Sequence, residues 1–231
     1  MSKNIIITGA SSGLGNEICT CFKELGFNVV GLSRNKPVKP LFDFLECDVG
    51  DYIQVKKTFK KIKKEIFEPH VLINAAGIAS MNLFLTTPPS KMEQIMRTNV
   101  LGTMFCCQEA LKLFARQKNA RNTIINFSTI AVNIALKGES VYVASKGAVE
   151  SFSRTLSKEA ADFNCTVNTI APGPVDTNLT KGLTEQQINN IVSHQAIQEK
   201  ASKKDIFNVC KLLISEEAKD ITGQIFNIKG V

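Results

Sequence analysis

Tryptophan is absent from this chain, and tyrosine and histidine occur only twice each. With no tryptophan, scarce tyrosine and no recognised binding motif, the net charge of +7 does not point to a nucleic-acid partner. No apolar run approaches the roughly 18–20 residues needed to span a bilayer. The first strand-like run already begins at Asn4, so no signal peptide is expected ahead of it. Seven cysteines are present, but none forms a C-x-x-C pair or any other metal-ligand spacing. They read as reduced core thiols, which fits a cytoplasmic protein without a bound metal. His70 reads as structural, and His194 lies in a segment that assigns it no role. There is no repeat, low-complexity tract or linker, so residues 1–231 read as one domain.

What is present is ordinary for a globular protein: 44% hydrophobic and 21% charged residues. Much of the basic excess lies in Lys56-Lys57 and Lys60-Lys61-Ile-Lys63-Lys64, where helical spacing makes it a solvated face. Strand-like runs occur at Ile5–Ile7, Val29–Leu32, Phe42–Leu45, Val71–Ile73, Ile124–Phe127, Val167–Ile170 and Ile225–Ile228. Helix-like stretches lie at Gly13–Leu25, Tyr52–Ile66, Lys91–Ala115, Val141–Ala161 and Lys203–Ile214. This alternation predicts an α/β fold, a Rossmann-like doubly wound parallel sheet of about seven strands with helices on both faces. One helix is missing from the rhythm. Between Arg34 and Phe42 the chain is short and broken by Pro37 and Pro40, which leaves the neighbouring ligand site more exposed.

The first strand runs into Thr8-Gly9-Ala-Ser-Ser-Gly13-Leu14-Gly15 and then a helix. Gly9 permits a tight turn, Gly13 a close approach of backbone to a pyrophosphate, and Gly15 the packing of helix on sheet. The helix N-terminus offers N–H groups and positive dipole to phosphates. This is a dinucleotide-binding arrangement. The second strand ends in Leu32-Ser33-Arg34 with no carboxylate to hold a ribose 2′-hydroxyl. Arg34 can fork onto a 2′-phosphate, with Ser33, Ser11 or Ser12 donating beside it, so the expected cofactor is NADP(H).

A second motif is Ser140-Val-Tyr142-Val-Ala-Ser-Lys146-Gly147. Positions i and i+4 share one helical face, which sets the Lys146 ammonium beside the Tyr142 phenol. A nearby cation favours the phenolate, so the spacing predicts a lowered phenol pKa and a proton donor-acceptor near neutral pH.

Read in order, the motifs are the glycine loop, Asp48, Asn74-Ala75-Ala76-Gly77, Asn99, a hydroxyl residue near 128, Tyr142-x-x-x-Lys146 and Pro172-Gly173-x-Val175-x-Thr177. Over essentially its whole length the chain resembles the classical short-chain dehydrogenase/reductases, and among them the 3-oxoacyl-carrier-protein reductases. The resemblance implies that Asp48 and Val49 hold the adenine and that Asn74 to Gly77 line the adenosine ribose. It implies that Lys146 bonds the nicotinamide ribose. The carboxamide then meets the turn at Pro172, Gly173, Val175 and Thr177. Asn99 holds a water that carries protons from Lys146. A family serine thirteen positions before the tyrosine corresponds to Thr129, with Ser128 one residue earlier as the alternative. Neighbours on a strand face opposite sides, so one of the two points at substrate.

The implied reaction is reduction of a carbonyl, with Tyr142 as acid and Thr129 or Ser128 orienting the oxygen. The implied substrate is a 3-oxoacyl thioester on an acyl-carrier protein, received by Arg116, Lys118 and Arg121. The rivals are a sugar, nucleotide-sugar or other small polar ketone, or a non-catalytic NADP(H)-sensing regulator. Residues 178–201 read as a substrate lid. A homodimer or homotetramer is implied through the helices bearing Asn99 and Tyr142.

Overall fold

The structure is a computed structural model that describes residues 4–117, 120–177 and 179–231. Its strands are β1 (Asn4–Thr8), β2 (Asn28–Ser33), β3 (Asp43–Glu46), β4 (Val71–Asn74), β5 (Asn122–Phe127), β6 (Cys165–Ala171) and β7 (Ile225–Asn227). They form one sheet in the order β3-β2-β1-β4-β5-β6-β7, every pair parallel. The helices are α1 (Gly13–Glu24), α2 (Tyr52–Glu65), α3 (Pro89–Met96), α4 (Gly102–Phe114), α5 (Ala131–Ile134), α6 (Ser140–Ala161), α7 (Glu185–Ser193) and α8 (Lys203–Ile214).

The period of two along β1 divides the core into two layers. Ile5 and Ile7 face one side, where they meet Ile18 and Phe22 of α1 and Ile206, Cys210 and Leu213 of α8. Ile6 faces the other, against Val55, Phe59 and Ile62 of α2, Cys107 and Phe114 of α4, and Leu156 of α6. Every residue of β4, β5 and β6 is buried, as strands covered on both faces must be. Each large apolar side chain so enclosed contributes about 1.5–3 kcal/mol.

Two local features shape the ligand end of the sheet. No helix joins β2 to β3, as the prolines imply. The Phe42 ring takes that place on the sheet: a Cβ added to Gly31 would lie 2.5 Å from it. The long helix expected over Lys91–Ala115 starts earlier, at Pro89, and is interrupted by a π-helical turn, Arg97–Leu101. Such a widened turn re-aims the side chains it carries and recurs at functional sites. It carries Asn99.

The chain winds away from β1 in one direction to β2 and β3 and in the other to β4 through β7. A sheet of this kind opens a crevice at the carboxyl ends of the strands where the order reverses. Among the described residues, no helix is long and apolar enough to cross a membrane.

Candidate active site

A cleft of about 640 Å³ opens at that reversal. Its floor at one end is the loop from β1 to α1. Gly9 and Gly13 take the left-handed backbone conformation, with φ of 75° and 60°. A Cβ on Gly9 would lie 2.8 Å from the Ala75 and Ala76 backbone, so the loop after β4 can close down only on glycine. A Cβ on Gly15 would collide with the Gly9 carbonyl, so α1 rests directly on its own entry loop. The first turn of α1 has no acidic residue, and the Ser12 side chain makes no capping bond. The positive end of the helix therefore faces the cleft without a protein counter-charge.

Ser11, Ser12, Ser33, Arg34, Asp48 and Val49 all line this end. Arg34 is exposed. Ser33 differs from expectation: its hydroxyl donates to the Asn35 carbonyl at 2.8 Å, which commits it to the loop and leaves Ser11 and Ser12 as the hydroxyls facing outward. Asp48 Oδ1 accepts from the Gly50 N–H at 2.9 Å, an internal turn that shapes this wall of the cleft.

Of Asn74-Ala75-Ala76-Gly77, only the last three reach the cleft. The Asn74 side chain turns into the core, where Nδ2 donates to Asn126 Oδ1 at 2.9 Å and to Cys107 Sγ at 3.3 Å. The cause is strand register, which sets Asn74 opposite Asn126.

At the other end of the cleft, α6 presents Tyr142 and Lys146 on one face, both lining the cavity. Lys146 Nζ lies 6.0 Å from the centre of the Tyr142 ring and donates to the Phe127 carbonyl at 2.9 Å. The expected lowering of the phenol pKa is not what the surroundings produce. Burial raises it, the Glu139 carboxylate raises it further, and a hydrogen bond with Thr129 opposes them. Burial likewise pushes Lys146 down to about 8. Spacing brings the two groups together, but desolvation penalises charge on both. The phenol is thus held protonated, the form a proton donor needs.

The two hydroxyls after β5 separate cleanly. Ser128 is 4% exposed and its Oγ donates to Glu150 Oε1 at 2.7 Å, a bond directed into α6. The Thr129 hydroxyl accepts from the Ala131 N–H at 3.3 Å and acts on the Tyr142 phenol, lowering its pKa against the effect of burial. Both residues touch the cleft, but of the two only Thr129 acts on the phenol.

These elements coincide with what comparison with known proteins finds. The family model described as enoyl-(acyl carrier protein) reductase, of the short-chain dehydrogenase/reductase type, matches residues 9–230. The chain is a short-chain dehydrogenase/reductase. FabG of Staphylococcus aureus, named 3-oxoacyl-[acyl-carrier-protein] reductase, is 29% identical over 242 aligned positions, covering 100% of this chain and 98% of its own. A structure of 4-hydroxyisoleucine dehydrogenase with NADH has a TM-score of 0.89 at 26% identity, covering 98% of this chain and 96% of that one. ElxO with NADP bound gives 0.87 at 28% identity, covering 99% and 97%. The chain is accordingly an oxidoreductase with a nicotinamide dinucleotide as cofactor, and the glycine loop and the cleft above it fit that group.

As a short-chain dehydrogenase/reductase, the chain has further site features to place. Asn99 is fully buried and clamps the loop after β4: Oδ1 accepts from the Ile78 N–H and Nδ2 donates to the Ile78 carbonyl, each at 2.9 Å. Nδ2 also reaches Ser145 Oγ at 3.0 Å, and Ser145 donates to the Tyr142 carbonyl at 2.6 Å. The widened turn is thereby tied to the backbone that carries the tyrosine. A Cβ on Gly77 would lie 3.4 Å from Lys146 Nζ and 3.5 Å from Asn99 Oδ1, so that glycine keeps the approach to both open. Pro172, Gly173, Val175 and Thr177 line the cleft, and Thr177 packs against the glycine loop, 3.6 Å from where a Cβ on Gly13 would lie.

The carrier-docking trio is corrected in part. Arg116 is exposed, but Arg121 donates to the Ser215 carbonyl and pairs with Glu216 at 3.6 Å. Lys118 lies outside the described residues. Asn178, the first residue of the expected lid, also lies outside them. The rest of that segment contains α7, started by a capping box between Thr184 and Gln187. Leu179, Leu183 and Ile191 line the cleft from it. His70 does not line the cleft; its Nδ1 accepts from the Asn4 N–H at 3.5 Å beside the start of β4. The site residue missed by motif is Glu139, buried in the cleft wall three residues before Tyr142. Helical spacing from the tyrosine could have found it.

Proposed function

We propose that this protein reduces a ketone to a secondary alcohol with NADPH, and oxidises the alcohol in reverse. The observation that carries this reading is the convergence of Thr129, Tyr142 and Lys146 on the cleft whose other end is the glycine loop. The bound nicotinamide supplies hydride to the carbonyl carbon. Tyr142 gives its proton to the carbonyl oxygen, and Thr129 donates a hydrogen bond to that oxygen as charge develops on it. Lys146 orients the nicotinamide ribose and steadies the phenol. Asn99, with a water beside Lys146, returns the proton from solvent. Pro172, Gly173, Val175 and Thr177 hold the carboxamide, while Asp48, Val49 and the Ala75–Gly77 backbone hold the adenosine.

Arg34 supports NADP(H) over NAD(H), because an exposed guanidinium lining this end of the cleft suits a 2′-phosphate and the strand end offers a ribose hydroxyl no acidic partner. The name of the S. aureus relative supports a carrier-borne 3-oxoacyl thioester as substrate. Glu139 in the cleft wall favours the second reading, a small hydroxylated ketone. A reduced, cytoplasmic setting is supported by seven free cysteines, among them Cys107, whose burial pushes its pKa up to about 12. The chain acts as one cofactor-binding domain, with residues 178–201 as its lid. It pairs as a dimer or tetramer through the helices bearing Asn99 and Tyr142, where Met96 and Leu101 leave apolar surface exposed.

The test is NADPH oxidation by the purified chain over a panel of 3-oxoacyl thioesters, sugars and hydroxyketones. Carbonyl-dependent consumption supports the reading. Tight NADPH binding without turnover across the panel would favour a regulator instead.

A further inference from the structure

Glu139 immediately precedes α6 and is 7% exposed, its side chain in the wall of the cleft. A carboxylate at the start of a helix ordinarily turns back to accept from N–H groups of the first turn. This one makes no such bond. Among the described residues it enters no side-chain hydrogen bond and no ion pair; burial raises its pKa, and it faces the Tyr142 phenol. Its oxygens are not among the fully enclosed polar atoms, so water in the cleft is what meets them. A ligand that displaces that water must bring a donor or leave the carboxylate unpaired at a cost.

The position of the group narrows the ligand. Glu139 precedes Tyr142 by three residues at the start of α6, and its carboxylate lies close enough to act on the phenol. A substrate carbonyl held by the phenol therefore brings its neighbouring carbon within reach of the carboxylate. The other charged side chains at this end of the cleft are Lys91 and Lys146. An ammonium on the substrate would meet both as like charges, whereas a hydroxyl brings the missing donor and adds no charge.

We propose that Glu139 accepts a hydrogen bond from a hydroxyl on the carbon next to the reacting carbonyl, so that the preferred substrates are hydroxyketones. The proposal rests on the reductase reading above and fixes its substrate class. In the step it governs, the carbonyl carbon takes hydride from NADPH and the oxygen takes the proton of Tyr142, which solvent replaces. The products are a vicinal diol and NADP⁺. A site built around such a bond discriminates strongly against an analogue that lacks the hydroxyl, because the buried acceptor is then left unpaired.

The experiment compares 3-hydroxy-2-butanone, 2-butanone and an acetoacetyl thioester as substrates for wild type, Glu139→Gln and Glu139→Leu, with NADPH binding followed by fluorescence to confirm an intact cleft. The wild type is expected to favour the hydroxyketone over butanone by about tenfold or more in kcat/KM. That preference should weaken in the glutamine variant, which keeps a weaker neutral acceptor, and vanish in the leucine variant. Equal use of the hydroxyketone and its deoxy analogue by the wild type would overturn the proposal, as would equal losses on both in the variants; ketone reduction would still stand. No NADPH consumption with any of the three carbonyls would overturn the reductase reading and this proposal with it.

Discussion

Lys146 of α6 donates through Nζ to the carbonyl of Phe127, the last residue of β5, at 2.9 Å. The bond pins the helix bearing the candidate acid to the end of a central strand. It also holds an ammonium 6% exposed, with its pKa pushed down to about 8.

The consequence for stability has a definite sign. Lys146 has a folded pKa below its unfolded value of about 10.4, so between about pH 8 and 10 the unfolded chain binds the extra proton. Lys146 therefore adds stability as pH rises through that window. The buried thiols, among them Cys19, Cys106, Cys107, Cys165 and Cys210, act the other way, because burial raises their pKa values. Above about pH 8.5 the unfolded chain releases thiol protons that the fold retains, and stability falls. Lys146→Met should accordingly lose stability more steeply than wild type between about pH 8 and 10. Urea midpoints of the cofactor-free proteins measure the difference, and parallel curves would contradict the buried charge.

Thr129 and Ser128 should respond to alanine in opposite ways. Removing a donor aimed at a developing oxyanion costs roughly a hundred- to a thousand-fold in kcat, which is expected for Thr129→Ala. Ser128→Ala instead leaves the Glu150 carboxylate without its 2.7 Å donor, at a cost of about 1–3 kcal/mol in stability and little in turnover. Steady-state kinetics and urea unfolding of the two variants decide between them.

Arg34→Asp should shift the ratio of kcat/KM for NADPH over NADH towards NADH by about tenfold or more, since a charge-assisted fork to phosphate is exchanged for a repelling carboxylate. An unchanged ratio would mean that another group, such as Ser11 or Ser12, reads the 2′-phosphate.

The architecture was readable from the chain because each parallel strand is buried on both faces and announces itself as an apolar run, as in Val71–Ile73 and Val167–Ile170. The missing helix after β2 was equally plain, since Pro37 and Pro40 forbid it. The site was readable where it depends on local spacing. Gly9, Gly13 and Gly15 are fixed by turn geometry, and Tyr142 and Lys146 by one helical turn. It was not readable where distant residues decide. Asn74 turns inward because register sets it opposite Asn126, and Ser128 is drawn away by Glu150. Arg121 is consumed by Ser215 and Glu216 from a remote part of the chain. The phenol pKa went astray for the same reason: the i+4 rule reports a neighbour but not the depth of burial.

Turnover by Tyr142→Phe tests the central claim most directly. The variant keeps the ring and its packing and loses the phenolic hydroxyl. It should bind NADPH as wild type does and reduce carbonyl substrates roughly a hundred- to ten-thousand-fold more slowly. NADPH oxidation at an undiminished rate, with the same affinity for cofactor, would contradict the assignment of the acid.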